Sequence, residues 1–287
     1  MYGIFLVGML TILSDFCHDK TKGFAIGKLA HSFNNKEEVF PPGDSLEERK
    51  EIKEALEQPF QYLKKGKYCF AFASEDGQYV LKFFQRSPIE PPFWANLSVV
   101  KFFFPSACER VIAKKKKQKE LNFKSYEMAF THFKKQTGIL GLHVYPSLCL
   151  ENRVTLYDNI KVKHEIDINK YCFILQKKAA PFCLYFKQLM SLEPNKAYAL
   201  LTQFALLLKE RADQGVSDAD LSPRYNLGVI DGKIVPFDLD GLRFMGSCYN
   251  KQQRMLQDAK KMFLWLDSTY PEASCFLEKE INVISQQ

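Results

Sequence analysis

The chain of 287 residues has no Cys-x-x-Cys pair and no cluster of cysteine with histidine, so its sequence offers no zinc site. Its eight cysteines, Cys17, Cys69, Cys108, Cys149, Cys172, Cys183, Cys248 and Cys275, are spread along the sequence. They read as reduced, mostly buried thiols of a cytosolic protein. Internal repeats and low-complexity linkers are absent. Residues 4–13, IFLVGMLTIL, are apolar but fall short of the about 20 residues a membrane-spanning helix needs. No lysine or arginine precedes them and no clear small-residue cleavage site follows, which leaves a signal peptide unsupported. That segment reads as a strand or helix packed on the body, with a membrane-touching anchor as the alternative. Charge of one sign is not in large excess either. The net charge of +7 suits an anionic partner such as a nucleotide or a membrane surface, and no DNA- or RNA-binding signature accompanies it. Nucleic acid is therefore not an expected partner.

What the chain does have is enough phenylalanine, leucine and isoleucine for a real core, in a length that allows one large domain or two small ones. Its organising stretch is residues 215–244, GVSDADLSPRYNLGVIDGKIVPFDLDGLRF. Residues 229–230 and 234–237 are short apolar strands joined at Asp231-Gly232, a strong hairpin turn signal. The turn places Asn226, before one strand, near Asp238, after the other. Asp220 lies on the loop leading in. Two carboxylates and an amide gathered in this way suit magnesium, which takes hard oxygen ligands, and the phosphates it carries.

This stretch resembles the catalytic segment of the protein-kinase-like phosphotransferases, with its Asp-x-x-x-x-Asn loop and following Asp-Phe-Gly. Three details depart from that pattern. Asp218-Ala219-Asp220 stands where the family has His-Arg-Asp or His-Gly-Asp, so the histidine is missing. Asp220 to Asn226 is one residue longer than the family spacing, and Asp238-Leu239-Asp240-Gly241 carries an extra residue.

The rest of the chain follows the family's order. A capping box at Ser45 and Glu48 opens an amphipathic helix running to about Glu57. Residues 60–65, 67–74 and 78–85 read as strands, separated at Gly66 and at the Asp76-Gly77 turn. Lys82, in Tyr-Val-Leu-Lys-Phe-Phe, resembles the family's strand lysine, which contacts the α- and β-phosphates of ATP. Gly66 is a single glycine where the family's phosphate loop has three. Residues 106–136 read as one long helix, broken at Gly138, on which Glu120 or Glu127 would partner Lys82, Glu120 being preferred. Further strands are expected at 142–150, 153–156, 162–168 and 171–176, with a hinge-like linker at 177–181. Helices are expected at 194–215, 251–266 and 271–284. Residues 87–105, rich in proline and aromatics, form an insertion. With Lys114–Lys117 they make either a surface for anionic lipid or, in the blander alternative, a segment packed on its own domain beside a solvated helix face.

The resemblance implies an α+β, two-lobed protein-kinase-like fold with an antiparallel β-sheet N-lobe and a mainly helical, compact C-lobe. The expected division is an N-terminal extension over 1–57, the N-lobe over 58–178 and the C-lobe over 179–287. It further implies ATP and Mg²⁺ as cofactors. Asp220 would be the catalytic base, Asn226 and Asp238 the metal ligands, and Lys82, Glu120 and Gly66 the nucleotide contacts. Asp218 or Asp240 would substitute if the loop register shifts. Only 49 residues follow Asp238 and no Ala-Pro-Glu motif is present, which points toward compact bacterial kinase-like proteins such as lipopolysaccharide core kinases and aminoglycoside phosphotransferases. The expected acceptor is a hydroxyl of a small molecule, sugar or lipid, and the expected location is the cytoplasm, with peripheral membrane contact open. Two alternatives stand beside the enzyme: a pseudokinase that binds nucleotide or a partner without turnover, and a membrane-surface scaffold.

Overall fold

The computed structural model describes residues 9, 13–32, 45–144, 153–246 and 250–286. All but two residues of the apolar 4–13 stretch lie outside these, as do Cys149 and Cys248. The fold is α+β, and the chain divides into two compact units, residues 1–120 with 140–177 and residues 121–139 with 178–287.

The first unit is built on a seven-stranded sheet of order β4-β7-β3-β2-β1-β5-β6. Its strands are β1 (Phe60–Lys65), β2 (Cys69–Ser74), β3 (Tyr79–Phe84), β4 (Ile139–His143), β5 (Arg153–Tyr157), β6 (Lys163–Asp167) and β7 (Phe173–Lys177). The expected strands at 67–74 and 78–85 are thus present but shorter. The β2–β3 connection turns on Asp76-Gly77, where Gly77 takes φ 71° and its N–H donates to the Ser74 carbonyl at 2.9 Å. The sheet is mixed, which corrects the antiparallel expectation: Phe60 of β1 pairs in parallel with Leu156 of β5. A short turn reverses the chain and makes neighbours antiparallel, whereas β5 joins β1 only after a long helical excursion.

Helix α1 (Leu46–Glu57) begins as the capping box requires, with the Glu48 N–H donating to Ser45 Oγ at 3.1 Å. It buries Ile52, Ala55 and Leu56 in a core shared with Phe60, Phe70, Phe72, Leu81 and Phe83. Phe24 closes this core, its ring edge-on to Phe70 and Phe72 at 5.3 and 5.1 Å. The expected 106–136 helix is α3 (Pro105–His132), preceded by α2 (Ser98–Phe103) and followed by a turn, Lys134–Thr137, that ends at Gly138 with φ 66°. Residues of α3 up to Glu120 belong to the first unit and those from Leu121 to the second.

Cys69, Cys108 and Cys172 are buried, whereas Cys17 and Cys275 are exposed, so the buried-thiol expectation holds for only part of the described cysteines. Burial pushes the Cys172 thiol up to about 12, which disfavours its thiolate form.

His143 sits at the end of β4, stacked on Phe173 at 5.0 Å, with Nδ1 3.0 Å from the Tyr171 carbonyl. Burial holds its pKa below the ordinary value of 6.5, against the opposing pull of that carbonyl. The folded state therefore binds the proton less readily than the unfolded chain. Its contribution to stability is complete above the ordinary value and is lost as pH falls through the depressed folded pKa. A His143→Gln variant is expected to show a flatter loss of urea stability between about pH 7 and pH 5 than wild type. Parallel curves for the two proteins would contradict this assignment.

The second unit holds β8 (Ala180–Pro181), α4 (Phe182–Leu192), α5 (Pro194–Asp213), β9 (Val216–Asp218), β10 (Leu227–Ile230), β11 (Lys233–Pro236) and β12 (Leu242–Phe244). Helices α6 (Lys251–Asp258), α7 (Lys260–Thr269) and α8 (Pro271–Ile284) complete it. The apolar stripe expected on α5 is buried as a whole, from Ala197 to Arg211. Helix α4 had no counterpart in the sequence reading, although Phe182 and Phe186 stack at 5.4 Å and both meet Trp265. The single helix expected over 251–266 is two, broken at Ala259. The break follows Asp258, whose carboxylate is engaged by Ser217 and by the Asp218 N–H.

Candidate functional site

The site begins with a turn. Asp231 and Gly232 take φ of 49° and 73°, the positive pair that a two-residue hairpin loop demands. The register this sets, Leu227 opposite Pro236, continues one step further, where the Phe237 N–H donates to the Asn226 carbonyl at 2.9 Å. Asn226 and Asp238 therefore flank the open end of the hairpin. Asn226 is buried, and its Nδ2 donates to the Asp220 carbonyl at 2.7 Å. That bond orients the amide: with the nitrogen committed, Oδ1 is the atom left to face a ligand.

The loop carrying Asp220 rests on a buried ionic network. Asp218 accepts from the Asp220 N–H through Oδ1 at 3.1 Å and from Arg211 NH1 through Oδ2 at 3.1 Å. The side chains of Arg211 and Asp218 are 0% and 1% exposed. Arg211 also lies over the Phe133 ring, 5.6 Å from its centre. Burial pushes the Asp218 carboxyl above the ordinary carboxylate range, with the Arg211 guanidinium pulling the other way. Below this pair, Asp258 accepts from Ser217 Oγ at 2.7 Å and from the Asp218 N–H at 3.0 Å, and Arg254 NH1 donates to Ser217 Oγ at 2.7 Å. Burial raises the Asp258 carboxyl as well.

The β9–β12 pairing, with Leu242 opposite Asp218, folds the segment after Asp238 back over the Asp220 loop. It does so closely enough that a Cβ on Gly241 would stand 2.4 Å from Asp218 Oδ1 and 3.1 Å from Asp220 Cβ. Tyr126 Oη donates to Asp238 Oδ1 at 3.4 Å, and Ser125 Oγ donates to the Leu242 carbonyl at 2.8 Å. Asp220 is half exposed, and its carboxylate is ion-paired with Lys261 on α7.

Asp220, Asn226 and Asp238 are thus brought together. Asp218 is not a stand-in for Asp220, because a carboxylate sealed under Arg211 has no access to an acceptor. Asp240 lies in the half-buried turn between Asp238 and β12. Lys82 and Gly66 belong to the first unit. Lys82 Nζ donates to Gln176 Oε1 on β7 at 2.7 Å, and Gln176 is buried. Gly66 joins β1 to β2, with its carbonyl accepting from Gln85 Nε2 at 2.7 Å. A Cβ at Gly66 would touch only the Cys69 carbonyl, at 3.4 Å, so nothing in the local packing demands glycine there. Glu120 is exposed on the part of α3 that belongs to the first unit, and Glu127 lies on the part that belongs to the second.

Sequence reasoning overlooked Gln176, Arg254, Asp258 and Lys261, and took Arg211 only as the last member of an apolar stripe. For Arg211 a signal existed: a guanidinium ending a core stripe must meet an acid, and the acidic loop begins a few residues later. For Asp258 and Lys261 no local pattern marks the residue.

Among the described residues, no group of three or more His, Cys, Asp or Glu side chains could hold a metal by itself. Two hard oxygen donors at the hairpin end fit a different case. Magnesium keeps several waters and is held by one or two carboxylates together with substrate phosphates.

No family model matches the chain, and no curated protein sequence does. Among solved structures, the chain is similar to WbdD, described as a bifunctional kinase-methyltransferase. The crystal structure of WbdD matches at a TM-score of 0.38 and 14% identity, over 80% of this chain and 46% of that one. Its co-crystal structure with a kinase inhibitor matches at 0.36 and 13%, over 78% and 45%. The chain spans less than half the length of these structures. A likeness of this size leaves function to be argued from the site.

Proposed function

We propose that the chain is a phosphotransferase of the protein-kinase-like kind, moving the γ-phosphoryl group of ATP to a hydroxyl of a small molecule, sugar or lipid. The observation that carries this reading is the junction of Asn226 with both Asp220 and Phe237. It ties the backbone at Asp220 and the backbone just before Asp238 to the one residue Asn226, which supports reading the three as a single site. In this reading Asn226 Oδ1 and the Asp238 carboxylate hold magnesium, which when bound neutralises the phosphate oxygens. Tyr126, through Asp238 Oδ1, and the Asp220 carbonyl, through Asn226 Nδ2, orient those two ligands. Asp220 accepts the proton of the acceptor hydroxyl as its oxygen bonds to the γ-phosphorus and the bond to the bridging oxygen of ADP breaks. Lys82, Glu120 and Gly66 keep the nucleotide-contact roles that the resemblance assigns them.

A thermal melt with ATP and magnesium, on wild type and on Asp238→Ala, tests the reading. A ligand that binds only the folded state stabilises it by about 2.7 kcal/mol at a hundredfold excess over Kd. The expected result is a raised Tm in wild type and none in Asp238→Ala. A wild-type Tm indifferent to saturating ATP and magnesium would remove the enzyme.

Two observations favour a second reading, nucleotide binding without turnover. The carboxylate of Asp220 is engaged by Lys261, and Lys82 is bonded to Gln176. In that case the thermal shift survives while labelled ATP is neither hydrolysed nor transferred to any hydroxyl acceptor.

A further inference from the structure

In the core of the first unit the large aromatic side chains of Phe60, Phe70, Phe72 and Phe83 are enclosed by their neighbours. The segment between the sheet and α3 reverses this. In the short 3-10 turn Phe93–Asn96, Ala95 is the buried residue, while Phe93 and Trp94 are exposed. Helix α2 packs beside that turn and buries none of its own residues. Phe102 is 80% exposed, Phe103 66% and Phe104 64%. Val99, one turn before Phe103, is exposed as well.

The distribution around the helix decides what could cover it. Successive helical residues are about 100° apart, so Phe102 and Phe103, with Phe104 at the end, point to different sides of the turn. A groove on a partner protein takes one face of a helix, read at intervals of three and four residues. Ser98 and Lys101, three positions apart, give α2 one polar edge, and Val99, Phe102 and Phe103 stand exposed around the rest of the turn, the pattern of a short helix lying at a bilayer surface.

The adjoining chain is strongly basic, with Glu109 and Glu120 at the two ends of a positive run. Helix α3 starts directly after Phe104, and the run from Arg110 to Lys119 contains six basic residues and no acidic one. Arg110, Lys114 and Lys117 are exposed and, at spacings of four and three, form one stripe. At 1.5 Å per residue, Lys117 lies within roughly 18 Å of the helix start. Aromatic side chains beside a lysine stripe are the two components of attachment to an anionic bilayer, apolar insertion and headgroup attraction.

We propose that the exposed Phe93–Phe104 aromatics insert into the surface of a lipid bilayer whose anionic headgroups are held by Arg110, Lys114 and Lys117. The surface lies wholly within the first unit and is independent of the phosphotransferase reading. The blander sequence expectation, that this insertion packs on its own domain, does not describe these side chains.

The test is flotation of the full chain with vesicles of phosphatidylcholine alone and of phosphatidylcholine mixed with phosphatidylserine. Binding is expected to the mixed vesicles and to fall with added salt. Lys114→Gln with Lys117→Gln should weaken it roughly fivefold per lysine. The triple variant Phe102→Ser, Phe103→Ser, Phe104→Ser should weaken it by about tenfold or more, with an unchanged melting curve because these side chains are exposed. Trp94 provides a second readout, since the other tryptophan, Trp265, is buried. Its emission should shift to the blue with mixed vesicles and be quenched by brominated acyl chains. Binding that ignores the Phe substitutions, or no binding to either vesicle, overturns the proposal. So does self-association that the Phe variant abolishes in the absence of vesicle binding, which would make the patch a contact between two copies.

Discussion

Replacing Arg211 with leucine is expected to destabilise the protein by about 3–5 kcal/mol, the usual result of removing one partner of a buried ion pair. The physical reason lies in what the substitution leaves behind. Asp218 is 1% exposed, and without the guanidinium its carboxylate keeps only the N–H of Asp220. A carboxylate so enclosed must either stay charged in an apolar surround or take up a proton, and both cost free energy. The loss should appear as a Tm lowered by roughly 10–20 °C. Asp218→Asn in the same background should recover part of it, because the amide carries no charge to leave unpaired. The double variant would then be less damaged than the sum of the two single changes, the sign of direct coupling. Strict additivity in urea titrations would mean that the pair does not act as a unit. Since Asp218 also holds the N–H of Asp220, the Arg211 variant should lose any stabilisation by ATP and magnesium along with its own stability.

Gly241→Ala is expected to act on the same loop from above, with a smaller loss of stability and a large loss of site geometry. The added Cβ would sit 2.4 Å from Asp218 Oδ1. Asp218 has nowhere to retreat, being clamped by Arg211 and the Asp220 N–H, so the β12 side must move instead. Overpacking of this kind costs roughly 1–3 kcal/mol. The displaced segment carries Asp238, and the thermal shift with ATP and magnesium should shrink even in the folded variant. Gly27→Ala is the matched control, because a Cβ there would meet nothing within 4 Å and Gly27 has no part in the proposed site. A Gly241→Ala protein as stable as the control would show that the close approach is not a constraint.

The elements that were legible in the sequence are those whose signals lie within a few residues. The Ser45 cap is read from Glu48, three positions on, and the hairpin from the two residues of its turn. Helix α8 begins at Pro271 and its apolar stripe carries it to Ile284 as expected. The approach of Asn226 to the Asp238 end follows from the hairpin in the same way, since a two-residue turn leaves little freedom in which residues face each other, whereas Asp220 is joined to them by its carbonyl's bond to Asn226 Nδ2. Helix α4 escaped because Phe182–Leu192 is apolar around much of its circumference, which blurs the helical period. The parallel pairing of β1 with β5 escaped because strand direction depends on a crossover, not on the strand's own residues.

Local pattern by itself marked runs of strands and helices and a carboxylate-rich hairpin loop that follows a long helix with an apolar stripe, while the α+β class was what the resemblance implied. Tertiary structure decided which acid is enclosed and which meets solvent. Asp218 and Asp220 are two positions apart and chemically alike, yet one is sealed beneath Arg211 and the other faces Lys261 in solvent. The Arg211–Asp218 pair, seven residues apart, and the contacts across 41 residues, Lys261 to Asp220 and Asp258 to Ser217, separate their surroundings. The exposure of Phe102–Phe104 belongs to the same class, because a row of aromatics has one pattern whether it meets a core or water. Short-range signals act through backbone geometry within a turn or two, whereas burial and charge pairing depend on which distant side chains the finished fold brings near.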